Sequence, residues 1–167
     1  MIASNVATDT SSSDMGDIVE SVRQLNSFLR GEISAAETYR MAVDKLDQSQ
    51  KVEAQSNVGL LRGIQEEHHR AAESLRERIQ ALGGEPSDSS GAWGAWATTV
   101  QDTMNLLGDT SALKGLKEGE EHGLKDYQAG MDDIDSISAQ LVQNQFIPAQ
   151  QRHISLLDQL MSSVWQA

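Results

Sequence analysis

The chain has 167 residues, a formal net charge of −12, no cysteine, two prolines and 4% aromatic residues. Its length suits one domain with a buried core. The acidic balance argues against nucleic acid as a partner, because phosphates are bound by an excess of lysine and arginine. The lack of cysteine excludes disulfides and thiolate chemistry, and no apolar run approaches the ~20 residues that a membrane span needs.

The N-terminal stretch MIASNVATDTSSSDMG has neither the basic region nor the apolar region of a secretory signal. We therefore expect a flexible polar tail at residues 1–16 and a single domain at residues 17–167. A cytoplasmic protein is the corresponding expectation for location.

Apolar residues recur at alternating spacings of three and four along two long segments, at residues 18–46 and 58–82. This spacing is typical of one buried face of a helix. The second segment stops at Gly83 and Gly84, a common C-terminal signal for a helix, with Pro86 just beyond. The sequence therefore predicts two long amphipathic helices.

Residues 85–91, EPSDSSG, are predicted to form a linker. The stretch after them has the pattern of a shorter helix lying across the bundle, with Trp93, Trp96, Val100, Met104 and Leu107 on its apolar face. A third long helix is predicted from Thr110, with Thr110 or Ser111 as N-cap. The polar stretch MDDIDS then leads to a fourth helix, which Pro148 either kinks or starts. These elements predict an all-α four-helix bundle.

The sequence EEHH at residues 66–69 contains two overlapping pairs at a spacing of three, which places the members of each pair on one helix face. Gln65 and His68 fall in the apolar stripe of the second helix. Glu66 and His69 share a face with charged residues, so we expect that pair to face solvent. The alternative register, with Glu66 and His69 turned inward, would bury several charged residues without partners.

The fourth helix repeats the arrangement, with Gln150 and His153 on its predicted buried face. The first and third helices each carry a glutamate followed seven residues later by a tyrosine, and these tyrosines are expected to cap a polar layer with their hydroxyls. Equal rise along antiparallel neighbours brings each glutamate level with a Gln-x-x-His pair. The predicted layer consists of Glu32, Gln65, His68, Glu120, Gln150 and His153, capped by Tyr39 and Tyr127.

The stretch LNSFLRGEISAAETY resembles the first helix of bacterioferritins, and QQRHISLLDQL resembles their fourth helix. GEEHGLKDYQ is similar to third helices of the rubrerythrin kind. GGEP, the tryptophan-bearing linker and EGEEHGLKDYQ together resemble an uncharacterised bacterial family of ferritin-like proteins. The resemblance spans roughly residues 20–162 and implies a ferritin-like four-helix bundle with a short extra helix between its second and third helices.

Ferritin-like di-iron proteins take one Glu from each of two helices and Glu-x-x-His from each of the other two. By this resemblance, four residues occupy metal-binding places: Glu32 and Glu120 as terminal carboxylates, and His68 and His153 as imidazoles. Gln65 and Gln150 stand where the pattern has bridging glutamates. Because a neutral amide bridges two cations poorly and cancels none of their charge, the sequence departs from a standard di-iron centre.

Two hypotheses from different classes remain. In the first, the layer binds a transition metal, Fe²⁺ or Zn²⁺, in metal handling or oxidative-stress defence. In the second, the buried polar groups satisfy one another without a cofactor, and the chain is a metal-free helical-bundle interaction or structural protein that has lost a di-iron site. We expect a homo-oligomer in either case, with a dimer favoured and no nucleic-acid or membrane partner.

Overall fold

The structure, a computed structural model, describes residues 10–47, 52–91 and 109–164. In these ranges the helices are α1 (Thr10–Asp47), α2 (Val52–Ala81), α3 (Asp109–Ala129), α4 (Ser136–Leu141) and α5 (Ile147–Val164). A π-helical turn at Val142–Phe146 joins α4 to α5, and together they make the fourth long helix. The predicted all-α four-helix bundle is confirmed. The short helix expected around Trp93 and Trp96 lies outside the described residues.

The first helix begins well before the predicted boundary at Asp17. Residues 10–16 continue α1, while residues 1–9 lie outside the described ranges. The stretch TSSSDMG has no apolar stripe, so periodicity did not reveal its helix, but it also contains no proline that would end one. Met15 and Val19 are exposed, so this first part of α1 is helical without facing the core. None of the described helices is long and apolar enough to cross a membrane.

The buried apolar side chains form two clusters, one on each side of a polar layer. The first cluster includes Tyr39, Val43, Leu61, Leu113 and Leu157. The second includes Leu25, Leu29, Leu75, Ile79 and Phe146. Along α1 and α2, Glu32 and His68 come between the members of the two clusters. The apolar core is therefore interrupted at mid-depth by buried polar groups, each of which needs a partner.

The end of α2 is a glycine turn packed against α1. Gly83 has a φ of 77°, a conformation that favours glycine. The N–H of Gly84 donates to the carbonyl of Ile79 at 2.9 Å, which closes the last turn. A β-carbon at Gly84 would lie 2.5 Å from Cγ1 of Val22. The absence of a side chain at Gly84 therefore allows α2 to end against α1.

The segment at residues 85–91 is held along α1. The N–H of Ser87 donates to Oδ1 of Asn26 at 2.7 Å, and Nδ2 of Asn26 donates to the carbonyl of Glu85 at 3.0 Å. Further along, the Ser90 hydroxyl donates to Oε2 of Glu37 at 3.1 Å. The predicted linker is thus docked by hydrogen bonds to the first helix.

The turn into the fourth helix is capped by an aspartate. Oδ1 of Asp135 accepts the N–H groups of Ile137 at 3.0 Å and Ser138 at 3.2 Å, as an N-cap residue does. Nη2 of Arg78 in α2 donates to the same oxygen at 2.6 Å. Because Asp135 both caps α4 and pairs with Arg78, it joins the start of the fourth helix to the end of α2.

Pro148 lies in the first turn of α5, directly after the π-helical turn at Val142–Phe146. Proline has no N–H and its ring crowds the carbonyl one turn back, and the wider π turn accommodates both effects. Gln150 and His153 therefore stay on the buried face of the fourth helix.

Two glycine substitutions test the contact between the end of α2 and α1. We expect Gly84→Ala to lower the free energy of unfolding by roughly 1–3 kcal/mol, because its methyl group would meet Val22. Gly63→Ala is the control, since Gly63 is exposed within α2 and has open space around it. This variant should be more stable than the wild type by roughly 0.5–1 kcal/mol. Urea unfolding measures both, and a Gly84→Ala protein as stable as Gly63→Ala would contradict the packing described.

Candidate metal centre

Four buried polar side chains from the four long helices meet at mid-depth in the bundle. They are Glu32 of α1, His68 of α2, Glu120 of α3 and His153 of α5, and each is at most 5% exposed. Each lies on the same helix face as the apolar residues of the two core clusters. The helical spacing that buries the core thus brings these groups together.

His68 is the central group of the layer. Its Nδ1 lies 2.7 Å from Oε2 of Glu32, and its Nε2 lies 3.0 Å from Oε1 of Glu120. Burial by itself lowers the pKa of His68, but the carboxylates of Glu120 and Glu32 raise it to about 10. At neutral pH the ring is therefore an imidazolium that donates one hydrogen bond to each glutamate.

Glu120 is in hydrogen-bond contact with three side chains. Besides His68, the Tyr39 hydroxyl donates to its Oε1 at 2.6 Å, and Nδ1 of His153 lies 3.2 Å from its Oε2. Burial raises the pKa of Glu120, but the nearby His68 and His153 outweigh this effect and lower the pKa to about 2. The carboxylate is therefore ionised at neutral pH although it is almost fully buried.

The tyrosines cap the layer, as the sequence predicted. The Tyr127 hydroxyl donates to Oε1 of Glu32, in the same way that Tyr39 donates to Glu120. Burial, followed by the adjacent carboxylates, raises the pKa of both phenols well above its ordinary value. Both hydroxyls therefore remain protonated donors over the physiological range.

Glu67, which no sequence pattern singled out, extends the layer to the surface. Oε2 of Glu67 lies 3.1 Å from Nε2 of His153, and Nη2 of Arg152 donates to the same oxygen at 2.7 Å. Burial raises the pKa of Glu67, but His153 and Arg152 more than offset this effect and lower the pKa. The side chain of Glu67 is 33% exposed, so the network runs from the core to solvent between α2 and α5.

The orientation of α2 explains both Glu67 and the position of Gln65. The buried face of α2 is centred on Ile64 and His68, so the 100° rotation per residue places Gln65 and Glu67 about 80° to either side. Gln65 is accordingly half-buried, and none of the described hydrogen bonds joins it to the layer. The expectation that Gln65 would lie within the core was therefore wrong, because the buried face of α2 includes Ile64 in place of Gln65.

Gln150 does lie in the layer, and the alternative histidine pair does not. Nε2 of Gln150 donates to the backbone carbonyl of Glu120 at 3.2 Å. A β-carbon at Gly123 would collide with Nε2 of Gln150, so this glycine makes room for the amide. Glu66 and His69 are exposed, as expected from the charged face they share.

Three residues of the layer have the spacing of a metal site. Potential ligand atoms of His68, Glu120 and His153 all lie within 4.8 Å of one another. Ligands at about 2.05 Å from a tetrahedral ion are roughly 3.3 Å apart. The contacts of Glu120 with His68 and His153, at 3.0 and 3.2 Å, are close to that separation. Two imidazoles and one carboxylate form a set used by Zn²⁺ and by non-haem Fe²⁺.

The same residues do not fit a di-iron centre. The amide of Gln150 is turned to a backbone carbonyl, and Gln65 lies at the edge of the layer. Neither amide supplies the negative charge with which a bridging glutamate offsets two cations. The donor set therefore matches one divalent ion.

A family model described as "Domain of unknown function (DUF2383)" matches residues 20–133. The chain belongs to this family. The DUF2383 match covers α2, most of α1 and all of α3, which include Glu32, His68 and Glu120. No curated protein matches the chain.

The fold is also found in a solved structure, described as "Crystal structure of ferritin like, diiron-carboxylate proteins from Bacillus anthracis str. Ames". The similarity has a TM-score of 0.68 at 19% sequence identity and covers 87% of this chain and 97% of that one. This DUF2383 protein therefore has a ferritin-like helical bundle, which confirms the fold that the sequence resemblance implied.

The charge of His68 predicts how the stability of the metal-free protein depends on pH. The folded state keeps a proton up to a pKa of about 10, whereas an unfolded histidine loses it near the ordinary value of 6.5. The stabilisation is therefore complete below about pH 6.5 and is lost as pH rises toward 10. Between these values the free energy of unfolding should fall by at most about 1.4 kcal/mol per pH unit.

Urea unfolding in the presence of a chelator, at several pH values from 6.5 to 9, measures how the free energy of unfolding changes with pH. His68→Gln should lose this dependence, and the exposed neighbour variant His69→Gln should keep it. A wild-type protein whose stability is level or rises over this pH range would contradict the protonated bridge.

Proposed function

We propose that this protein binds one divalent transition metal ion, Fe²⁺ or Zn²⁺, in its mid-bundle layer through His68, Glu120 and His153. The observation that carries the proposal is the approach of three potential ligand atoms to within 4.8 Å in a buried site. Such a three-residue set leaves coordination positions for water or a substrate. When bound, the ion would supply Lewis-acid chemistry or, for iron, redox chemistry.

The contacts of the two imidazoles suggest which nitrogen each would use. Nε2 of His68 and Nδ1 of His153 face Glu120, so these are the ligand nitrogens in our proposal. The other nitrogens face Glu32 and Glu67. A carboxylate that accepts the outer N–H of a ligand histidine holds the ring in one orientation and raises its basicity. Glu32 and Glu67 are thus proposed as positioning residues.

This assignment narrows the ligand set implied by the sequence resemblance. In our proposal Glu32 is not a direct ligand but supports His68. Gln150 holds the backbone of Glu120, and Gln65 has no proposed role in metal binding. Metal binding requires neutral imidazoles, so the ion would replace the proton on Nε2 of His68, which now lies between that nitrogen and Glu120.

The broader role that we propose is metal handling or oxidative-stress defence by a cytoplasmic homo-oligomer, with a dimer favoured. The ferritin-like fold supports this role, as does the description of the similar structure as a diiron-carboxylate protein. The net charge of −12 also raises the local concentration of cations. The proposed centre differs from that description because it holds one ion.

A second candidate function is a metal-free structural or interaction role. It is favoured by the completeness of the hydrogen bonding, because every buried side-chain nitrogen and oxygen among the described residues has a partner. A buried layer of this kind can fix the register of four helices without any ion. In that case the layer would be the remnant of a metal site.

Metal content separates the two candidates. We expect about one equivalent of Zn²⁺ or of Fe²⁺ under anaerobic conditions, measured by titration calorimetry and elemental analysis after dialysis. His68→Ala and His153→Ala should each abolish stoichiometric binding, because each removes a ligand. His69→Ala is the matched control and should bind like the wild type, since His69 is exposed.

Circular dichroism would establish that each variant is folded. Less than about a tenth of an equivalent in the wild type would leave the metal-free candidate. Loss of binding in His69→Ala with retention in His68→Ala would show that the ligand assignment is wrong.

Glu67 offers a test of the proposed support of His153. Glu67→Gln should weaken metal binding by roughly 10–100-fold, because the amide accepts a hydrogen bond less strongly than the carboxylate. Glu66→Gln removes the same charge from an adjacent exposed position and should change the affinity by less than about twofold. Competition with a chelator of known affinity measures both. Equal losses in the two variants would indicate a general charge effect.

A further inference from the structure

A cleft between α1 and α3 leads to the polar layer from the side opposite Glu67. Its walls are largely apolar or small, with Phe28, Gly31 and Ala35 on α1 and Leu116 and Gly119 on α3. Glu32, Glu120 and both capping tyrosines also line it. The cleft thus connects the surface with the buried carboxylates by a path that differs from the charged Glu67–Arg152 side.

The size of the cleft limits its occupant to a small molecule. The cleft leaves about 60 Å³ for the centres of water molecules. This is room for on the order of four waters, or for a molecule of similar bulk with about five or six heavy atoms. A β-carbon at Gly31 would meet nothing within 4 Å, so this wall of the cleft is open.

The charged groups of the cleft disfavour anions and cations for different reasons. Three carboxylates line the cleft, those of Glu32, Glu120 and Asp126. Against them stand the single imidazolium of His68 and the ring of His122, and no lysine or arginine lines the cleft among the described residues, so an anion would be repelled. A cation would lose its hydration between apolar walls. The acids at the inner end already have partners, since His68 lies between Glu32 and Glu120. The cleft therefore favours an uncharged occupant.

The inner end of the cleft offers hydrogen-bond acceptors. Each carboxylate oxygen of Glu32 accepts one described hydrogen bond, from Tyr127 or from His68. A carboxylate oxygen has two lone pairs, so each retains acceptor capacity among the described contacts. The capping hydroxyls of Tyr39 and Tyr127 already donate to the acids. An occupant that carries its own O–H or N–H would be complementary to this end.

We infer that the α1/α3 cleft is a binding site for a small uncharged molecule with a short apolar body and one hydrogen-bond donor, of the size and class of a short-chain alcohol. The body would pack against Phe28 and Leu116, and the donor would reach Glu32. Binding in the cleft does not depend on a metal. The cleft would also be the path by which a substrate reaches the metal centre, and this part of the inference rests on the proposed function.

The test uses metal-free protein and three probes with the same four-carbon body: butan-1-ol, butylammonium and butyrate. Backbone amide shifts of Gly119 and Gly123, which line the cleft, follow each titration by NMR. We expect saturable binding of butan-1-ol in the millimolar range. Binding of both charged probes should be weaker by at least roughly tenfold, because each carries a charge that the cleft disfavours.

Gly31→Leu should weaken butan-1-ol binding by at least roughly tenfold, because its side chain would fill the open wall. Gly63→Leu is the control, since Gly63 is an exposed glycine of α2 with equally open surroundings, and it should bind within about twofold of the wild type. Gly31→Ala, a milder change in the same place, should give an intermediate loss and covers the case in which Gly31→Leu does not fold.

Three results would overturn the inference: no saturable binding of butan-1-ol to the wild type, equal binding by the Gly31 and Gly63 variants, or tighter binding of either charged probe. A protein that binds butan-1-ol but no metal would retain the cleft and lose the proposed function. A protein that binds metal but not butan-1-ol would retain the proposed function and lose the inference about the cleft.

Discussion

The structure depends on one buried imidazolium shared by two carboxylates. His68 joins Glu32 of α1 to Glu120 of α3 through its two nitrogens, so one ring from α2 connects three helices. Removal of one partner from a buried ion pair typically costs roughly 3–5 kcal/mol, because the remaining charge stays buried and unpaired. The two apolar clusters are therefore aligned by a contact that tolerates little change in register.

The same geometry explains how one layer can serve two roles. The proton on His68 balances the buried carboxylates in the metal-free protein, and a divalent ion beside Glu120 would take over that function when the proton leaves. Glu32 and Glu67 contact the outer nitrogens of the two imidazoles, and in our proposal they keep these contacts when the ion is bound. The hydrogen-bonded layer is thus compatible with a metal site.

The sequence predicted the helices and most of the layer, because each depends on local periodicity. Glu32, His68, Glu120 and His153 were found since all lie on apolar stripes, and Glu66 and His69 were correctly placed outside. Gln65 was wrongly expected in the core and Glu67 was not predicted. The positions of both side chains depend on the rotation of α2 about its own axis, and a change smaller than the 100° between successive residues decides which of them faces the layer. The helical start at Thr10 was missed because solvent-facing polar residues carry no such stripe. The π turn before Pro148 and the cleft beside Gly31 were not predicted from periodicity, since the turn is a local change of helix geometry and the cleft lies between two helices.

The most direct test of the central claim is the position of a bound ion, observed by anomalous diffraction at the zinc edge from crystals of the Zn²⁺-loaded protein. The account predicts one strong peak per chain in the mid-bundle layer, within about 2.0–2.2 Å of Nε2 of His68, Nδ1 of His153 and a carboxylate oxygen of Glu120. Zinc found only at surface residues such as Glu66 and His69, or two ions in the layer, would contradict it.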